Sequence, residues 1–420
     1  MQVIRNATLA DGRVRDVRVD GERVDAVGED LDGETLVDAT GKRLLPGMID
    51  VHVHFRQPGF SHKETWASGS RSAAAGGVTT VVDQPNTDPP TVTGAAFDEK
   101  AAFAAESVVD WGINGGVTAD WDPESLFDRP LFALGEVFLA DSTGEMGIEA
   151  DLFEAACERA ADEDVVVTVH AEDADLFADA ARDRDDADAW SAYRTPEAEE
   201  TAVERAVAVG NDADATIHIA HTSTPEGVDA AKAGGATCEA TPHHLFLSRE
   251  DLDDLGTFGR MNPPLRSEAR REALFERLAD GRVDVVATDH APHTREEKDA
   301  SVWDAPSGVP GVETALPLLV QAASEGRLSF ERVRDVTAAN PAAVFGLPRK
   351  GRVEAGADAD LVLVDPDHST EIRGDRLHSA CDWTPFEGLG GVFPELTMVR
   401  GTVVWDGESV ADGDGENVRA

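Results

Sequence analysis

The sequence predicts an α/β fold: a TIM-type (β/α)8 barrel with a small β-sandwich domain built from both chain ends. In the middle of the chain, eight short apolar runs alternate with alanine-rich amphipathic stretches, which is the pattern of repeated βα units. The two ends instead carry short alternating segments punctuated by glycine, which is typical of antiparallel strands. We therefore expect residues 1–46 and 348–420 to form the sandwich and residues 47–347 to form the barrel.

Each predicted element follows from its own local pattern. At the chain ends, strands are expected at residues 2–4, 14–19, 23–27, 36–38, 361–366 and 399–405. The apolar runs that predict the barrel strands are residues 44–54, 77–86, 107–118, 131–141, 165–170, 215–221, 236–244 and 283–290. Helices are expected between them, most clearly at residues 94–106, 149–163, 197–209 and 268–280. Barrels of this type carry their chemistry at the carboxyl ends of the strands.

The composition argues against a nucleic-acid-binding protein and for a protein adapted to high salt. Asp and Glu number 82 against 37 Lys and Arg, a formal net charge of -45, and the acids are scattered through every segment. A surface coated with carboxylates repels nucleic-acid phosphates, so we expect no nucleic acid as a partner. Such a surface also needs salt to screen its own repulsion, which indicates adaptation to a salty cytoplasm, as in halophilic archaea.

The sequence further predicts a cytoplasmic protein with no membrane partner. The first residues lack the apolar segment of a signal peptide, and no run of eighteen apolar residues could span a bilayer. Cys157, Cys238 and Cys381 lie far apart and are odd in number, which fits a reducing compartment. A homodimer is compatible with these observations, but the sequence does not specify one.

Histidines and one aspartate recur at the ends of the predicted barrel strands. His52 and His54 end the first strand, and residues two apart on a strand point to the same side. His170, His221 and Asp289 end the fifth, sixth and eighth apolar runs, so all five side chains should meet at one mouth of the barrel. Imidazoles together with carboxylates suit zinc or another divalent first-row ion, and the pattern therefore predicts a metal centre.

Arg56 lies two residues beyond His54, on the same face of the strand end. The planar guanidinium binds a carboxylate through two parallel hydrogen bonds. An arginine beside a metal centre therefore suggests a small-molecule substrate that carries a carboxylate.

The order of these residues resembles the amidohydrolase superfamily, whose members carry a His-x-His on strand one, histidines on strands five and six and an aspartate on strand eight. Within that superfamily, four longer motifs resemble dihydroorotases: DVHVHFRQPG from Asp50, QPNT from Gln84, MNPPLR from Met261 and TDHAPH from Thr288. The resemblance runs through the barrel and into residues 350–360. It implies the reversible cyclisation of N-carbamoyl-L-aspartate to dihydroorotate and water in pyrimidine biosynthesis, with two divalent metal ions, expected to be zinc.

Two metals would need a bridging ligand. Many members of the superfamily use a carboxylated lysine on strand four, but this chain has no lysine between Lys100 and Lys232. Glu136 lies within the apolar strand-four run, where a charge is costly unless it is paired or bound to a metal. We therefore expect Glu136 to bridge the metals, with Asp141, just beyond the strand, as the alternative.

The resemblance also implies roles for residues around the metals. Asp289 would act as the general acid and base as well as a metal ligand. Residues expected to bind the substrate are His54, Arg56, Asn86, Asn262, His293, Ser307 and Gly308. Arg56 and Asn86, with help from His293, would hold the carboxylate, and Asn262 would contact the ring. Ser307 stands where dihydroorotases usually carry phenylalanine, so its ring contact is the least secure of these roles.

Two alternatives remain open at the level of sequence. The chain could be another cyclic amidase that acts on hydantoin or allantoin, or a metal-free homologue that serves as a scaffold. The other histidines receive lesser roles: His218 is expected to be structural, and His243, His244 and His290 to support the site without binding metal. His62, His368 and His378 follow no pattern and are expected at the surface.

Overall fold

The computed structural model describes residues 1–141 and 146–420. The chain begins with a group of short strands whose buried positions alternate with exposed ones. Their bounds are β1 Gln2–Leu9, β2 Val14–Asp20, β3 Arg23–Gly28, β4 Glu34–Asp38 and β5 Arg43–Pro46. Glycine-containing turns at Gly12 and Gly21, both at positive φ, reverse the chain between the first three strands, as the sequence predicts.

Within the described residues, eight parallel strands follow through the middle of the chain. They are β6 Met48–Val53, β7 Val78–Asp83, β8 Asp110–Ile113, β9 Leu134–Phe138, β10 Val167–His170, β11 Ile217–Ile219, β12 Thr237–Ala240 and β13 Val285–Val286. They form a three-stranded and a five-stranded sheet, which parallel bridges join between Gly115 and Leu134 and between Val53 and His290. The predicted TIM-type barrel is therefore confirmed, and each predicted apolar run contains one of its strands.

Helices lie between these strands and after the last one. Their bounds are α1 Trp66–Ala75, α2 Gly94–Ala104, α3 Pro123–Phe127, α4 Ala150–Asp162, α5 Ala189–Tyr193, α6 Pro196–Asp212, α7 Pro225–Ala233, α8 Pro242–Phe246, α9 Leu252–Leu255, α10 Glu268–Asp280, α11 Arg295–Lys298, α12 Ala315–Ser324, α13 Phe330–Arg334 and α14 Asn340–Val344. Threonine begins many of them, because its hydroxyl accepts a hydrogen bond from an otherwise unpaired N–H of the first turn. Thr65, Thr93, Thr195 and Thr224 all do so. None of the helices in the described residues is both long and apolar enough to cross a bilayer.

The C-terminal strands are β14 Leu361–Val364, β15 Thr370–Glu371, β16 Gly390–Gly391, β17 Pro394–Val399 and β18 Thr402–Trp405. Three of these five strands return to the first group, while β15 and β16 pair with each other. The two chain ends share one eight-stranded sheet in the order β18-β17-β14-β5-β1-β2-β3, with β4 paired to β1. This sheet has its own apolar core, which includes Ile4, Val17, Leu44 and Leu363. Its description as a two-layered sandwich stays a prediction.

Two C-terminal segments also pack on the barrel. Residues 415–418 run along β8, where Trp111 N–H donates to the carbonyl of Glu416 and Val418 N–H donates to the carbonyl of Trp111, both at 2.9 Å. At the opposite end of the strands, Trp383 Nε1 donates to the carbonyl of His293 at 2.7 Å. The end of the chain thus reaches both faces of the barrel, and the predicted domain boundaries stay a prediction.

Candidate metal centre and substrate pocket

His52 of β6 and His54, the residue directly after this strand, begin the site. His52 Nδ1 lies 2.7 Å from Glu239 Oε1, which fixes the ring so that Nε2 faces the barrel mouth. There, His52 Nε2 lies 3.4 Å from Glu136 Oε2 and 3.6 Å from Asp289 Oδ1. His54 lies beside it, with its Nε2 atom 2.9 Å from Asp289 Oδ1. The period of two along the strand therefore brings both rings to one point, as the sequence predicts.

Glu136 of β9 lies at the centre of the cluster. Its Oε1 atom is 2.9 Å from His170 Nδ1 and 2.5 Å from His221 Nε2. Two groups of ligand atoms, each within 4.8 Å of one another, could hold a metal ion, and Glu136 belongs to both. One group adds His52 and His54, and the other adds His170 and His221. The structure thus places the carboxylate between two potential metal positions.

Asp141, the alternative bridge, lies elsewhere. It is exposed, its Oδ1 atom accepts a hydrogen bond from Gly147 N–H at 2.7 Å, and it belongs to neither group of potential ligands. Glu136 is instead buried, and its N–H donates to Gln84 Oε1 at 2.9 Å. The geometry favours Glu136 over Asp141.

The donor set fits a divalent metal. His52 Nε2 and His221 Nδ1 are buried atoms with no hydrogen-bond partner among the described residues. The nitrogens His170 Nδ1 and His221 Nε2 lie only 3.0 Å apart against one carboxylate oxygen. Burial opposes protonation of His170, but Glu136 and Glu172 outweigh it and raise the histidine pKa to about 9. A bound cation would neutralise this negative charge and take the place of the protons that it attracts to the imidazoles.

Three of the clustered residues have unusual backbone conformations. Arg56, His221 and Asp289 have φ angles of 65°, 31° and 47°, in the left-handed region that residues with a side chain seldom adopt. Such conformations cost free energy and persist where the surrounding structure imposes them, most often at functional sites. Thr288, directly before Asp289, is held by two hydrogen bonds that it donates to Asp50 of β6, from its N–H at 2.9 Å and its hydroxyl at 2.6 Å.

A pocket opens beside the metal ligands. Its lining includes six of the seven residues predicted to bind substrate, namely His54, Arg56, Asn86, Asn262, Ser307 and Gly308. The Arg56 side chain is 4% exposed and has no carboxylate within 4 Å among the described residues. Its Nε donates to the carbonyl of Pro292 at 3.2 Å. Burial lowers the pKa of Arg56 to about 10, so the buried guanidinium still carries its charge at neutral pH.

His293, the seventh predicted residue, lies behind Arg56. Its Nε2 atom is 3.1 Å from Arg56 Nη2 and 2.9 Å from the carbonyl oxygen of Ser307, and Lys63 Nζ lies 3.1 Å from Nδ1. Burial, and then the positive charge of Arg56, lower the pKa of His293 to about 3. The ring is therefore neutral, with Nδ1 able to accept from Lys63 and the Nε2–H able to donate to Ser307.

Two carboxylates that hold the clustered histidines, Glu239 and Glu172, were not among the predicted site residues. Glu239 of β12 contacts His52, accepts from His221 N–H at 3.1 Å and lies 3.1 Å from His218 Nε2. Glu172 lies 2.8 Å from His170 Nε2 and pairs with Arg194. The signal was present, because Glu239 is a charge inside an apolar run, the argument applied to Glu136, and Glu172 follows His170 at the spacing of two. Such carboxylates orient imidazole ligands and increase their basicity.

The remaining histidines lie near their expected places. His218 supports Glu239, and the buried His243 and His244 flank the site without belonging to either group of potential ligands. His290 accepts from Gly311 N–H through Nδ1 at 3.1 Å, and its carbonyl accepts from His54 N–H at 2.8 Å. The three histidines predicted at the surface, His62, His368 and His378, are exposed.

A parallel barrel with histidines and an aspartate at the ends of these particular strands is typical of one class of metal-dependent hydrolase. The comparison with known families agrees. Residues 43–404 match the amidohydrolase family, so the chain belongs to that family. The barrel also resembles the solved structure of an L-hydantoinase (dihydropyrimidinase) from Arthrobacter aurescens, with a TM-score of 0.92 and 30% identity over 98% of this chain and 97% of that one.

Within the family, the similar curated proteins have one activity in common. The chain is 79% identical to a dihydroorotase from Halobacterium salinarum over the full length of both chains. It is 42% identical to a dihydroorotase from Methanosarcina acetivorans, over 95% of this chain and 90% of that one. The predicted resemblance to dihydroorotases is thereby confirmed.

Proposed function

We propose that this protein is a dihydroorotase, which interconverts N-carbamoyl-L-aspartate and dihydroorotate plus water in pyrimidine biosynthesis. The observation that carries the proposal is Arg56, a buried guanidinium that lines the pocket without a carboxylate partner among the described residues. A buried charge without a partner is costly, so the pocket is suited to a ligand that supplies the missing anion. Dihydroorotate carries one carboxylate on its ring, and the dihydroorotase relatives agree with this assignment.

We further propose that the site holds two divalent ions, with zinc as the expected metal. His52, His54 and Glu136 would hold one ion and Glu136, His170 and His221 the other, with Asp289 beside them. When bound, the ions supply Lewis acidity and make water a nucleophile at neutral pH. The amidohydrolase family and the clustered donors support divalent metal binding.

The chain's own residues position the substrate and move the proton. Arg56, Asn86 and His293 would hold the ring carboxylate, which converts binding into orientation, and Asn262 would contact the ring. In hydrolysis, water adds to the ring carbonyl and the carbon–nitrogen bond breaks. Asp289 would take a proton from the attacking water and deliver it to the departing ring nitrogen. In the direction of synthesis, the same proton returns and water leaves.

The acidic surface would repel an anionic substrate, and the pocket must outweigh that repulsion. Arg56 lies within the pocket, and Lys63 lies behind it through His293. With the metals, these groups would make the local field positive, while high salt screens the distant carboxylates.

The alternative of a hydantoinase has one observation in its favour, the similarity to the Arthrobacter aurescens enzyme. A neutral hydantoin ring has no carboxylate, so it would leave Arg56 without a partner. Dihydrouracil is dihydroorotate without the carboxylate and therefore provides a matched pair of substrates. The alternative of a metal-free scaffold would require an intact set of ligand atoms to bind no metal.

The test measures both reaction directions on metal-replete protein in molar KCl. We expect turnover of dihydroorotate and N-carbamoyl-L-aspartate, and a kcat/KM for dihydrouracil at least about 100-fold lower, since a buried charge pair contributes several kcal/mol to discrimination. Arg56→Met should remove the preference for dihydroorotate over dihydrouracil. Arg56→Lys should raise the KM for dihydroorotate, because lysine keeps the charge but loses the planar fork.

The control variant is Arg205→Met, which removes a surface ion pair with Asp173. Equal use of both substrates by the wild type would contradict the proposal.

Three finer proposals accompany the function. Residues 1–46 with 348–420 would form the small sandwich, and residues 47–347 the barrel. The protein would act in the cytoplasm, where its three buried free cysteines, Cys157, Cys238 and Cys381, stay reduced. A homodimer is the simplest assembly consistent with the sequence, and sedimentation in molar salt would measure it.

A further inference from the structure

Lys298, the last residue of α11, is buried without an anion. It is fully buried, and no carboxylate lies within 4 Å of its ammonium among residues 1–141 and 146–420. Its Nζ atom instead donates to three carbonyl oxygens, those of Arg260 at 3.0 Å, Pro306 at 3.0 Å and Gly308 at 3.1 Å. An ammonium group has three N–H donors, so this environment uses all of them.

The three carbonyls belong to two loops that form one wall of the pocket. Arg260 lies two residues before Asn262, and Pro306 and Gly308 flank Ser307. Asn262, Ser307 and Gly308 all line the pocket. The Arg260 carbonyl also accepts from Gly308 N–H at 3.0 Å, so the loops meet directly beside the ammonium.

The conformation of the second loop depends on these contacts. Gly308 has a φ of +127°, and a Cβ there would lie 2.7 Å from the carbonyl oxygen of Ala291. Successive carbonyls point to different partners, with those of Pro306 and Gly308 towards Lys298 and that of Ser307 towards His293. Without the ammonium, two buried carbonyls of this loop would lose their donor, and the loop would rearrange or take in water.

We propose that Lys298 is a positioning residue for the substrate, and that its ammonium fixes the wall formed by Asn262, Ser307 and Gly308. This inference rests on the proposed function. Lys298 is not one of the potential metal ligands and does not itself line the pocket, so its effect should fall on substrate binding rather than on the chemistry at the metals.

The experiment compares Lys298→Met with the wild type, both loaded with metal in molar KCl. We expect KM for dihydroorotate to rise at least about tenfold, because small displacements of positioning groups have large effects, while kcat changes less than about threefold and metal content stays the same. Lys298→Gln, which keeps an amide donor, should give an intermediate KM. It also provides the test if the methionine variant does not fold.

Thr257→Val is the matched control. The Thr257 hydroxyl donates to the backbone carbonyl of Lys298 at 2.7 Å. Its loss therefore weakens the packing around Lys298 while the ammonium keeps its contacts with both loops. We expect a lower melting temperature and a KM within about twofold of the wild type. A folded Lys298 variant with an unchanged KM, or an equal KM increase in Thr257→Val, would overturn the inference. An inactive wild type would overturn the proposed function instead.

Discussion

Asp289 combines two features that set it apart from a structural aspartate. Its backbone is in the left-handed region at φ 47°, and its buried side chain lies beside His52 and His54. Burial would raise the pKa of Asp289, but His54 and His52 beside it outweigh burial and lower the pKa below its usual value. An ionised carboxylate at this point is suited to accept a proton from an attacking water.

Asp289→Asn should therefore abolish most of the turnover while leaving the fold intact. Asparagine keeps the shape and one oxygen for His54 but cannot take up the proton, and the loss of a general acid or base costs about 10²- to 10⁴-fold in rate. The measurement is kcat in both directions, together with melting temperature and metal content. A variant that kept half of the wild-type activity would rule out this role.

At the level of single residues, the sequence predicts the potential metal ligands, whereas the carboxylates that support them were not predicted although their pattern is visible. His52, His54, His170, His221 and Asp289 share one simple signal, since each ends an apolar run. Glu136 and Glu239 share another signal, since each is a charged residue inside an apolar strand. Only Glu136 is predicted to belong to the site, because the family resemblance requires a bridging ligand on strand four and implies no ligand on strand seven. The side-chain contacts of Lys298 leave no trace in the local sequence, since its partners are backbone carbonyls of two distant loops.

Strand β9 is the element that joins the two potential metal positions. Its residues are all buried, and Glu136 is the only carboxylate that belongs to both groups of ligand atoms found in the described part of the chain. The pKa of Glu136 is influenced first by burial, which raises it, but His52 and His221 reverse this and lower it well below the usual range. The strand therefore presents a fully ionised oxygen pair to the centre.

Glu136→Gln should lower metal content and activity together. The amide has the same shape, but it lacks the negative charge that two cations would share, and its nitrogen would face the imidazoles. Metal per chain would be measured after dialysis, beside the rates of both reaction directions. The control is Asp141→Asn, at an exposed residue shortly after β9, which should leave the metal content and the activity unchanged. Two ions per chain in Glu136→Gln would exclude it as the bridge.

Secondary structure was predictable where the periodicity is long, and less so where tertiary contacts decide it. All eight barrel strands lie inside the predicted runs, yet β13 has only two residues against a predicted 283–290. Beyond it, Thr288 N–H donates to the Asp50 side chain, and His290 forms an isolated β-bridge with Val53. The chain therefore turns towards the site and does not continue the strand. The segment from β15 to β16, which reaches the barrel mouth through Trp383, carries no period and was not predicted.

The whole molecule should lose stability in acid partly through its buried neutral histidines. His293 has a pKa of about 3 in the folded chain, against a usual value of 6.5, because burial and Arg56 disfavour its charged form. Between those values the unfolded chain binds the proton and the folded chain does not. Stability therefore falls as pH drops below 6.5, by at most about 1.4 kcal/mol per pH unit for one group.

His293→Gln should make the free energy of unfolding depend less on pH in that window, because glutamine can still donate to the Ser307 carbonyl but does not titrate. Urea unfolding at pH 7, 6, 5 and 4 in molar KCl would measure the slopes of both proteins. Parallel slopes would show that His293 is protonated equally in the folded and unfolded chains.

The charge of the whole surface sets the last prediction. The formal net charge of -45 leaves most carboxylates without a basic partner, even though many exposed arginines form ion pairs, such as Arg129 with Asp98. Unpaired like charges repel one another more in the compact state than in the unfolded chain, and salt screens that repulsion. We expect the melting temperature to rise by at least about 3 °C between dilute buffer and 2 M KCl, since each kcal/mol of stabilisation shifts the midpoint of a chain of this length by about 1 °C. NaCl at the same concentration should act similarly if screening is the cause, whereas sucrose at matched osmolality should reproduce only a small part of the effect. A melting temperature that stays flat across the KCl series would show that the acidic surface is not a source of instability at low salt.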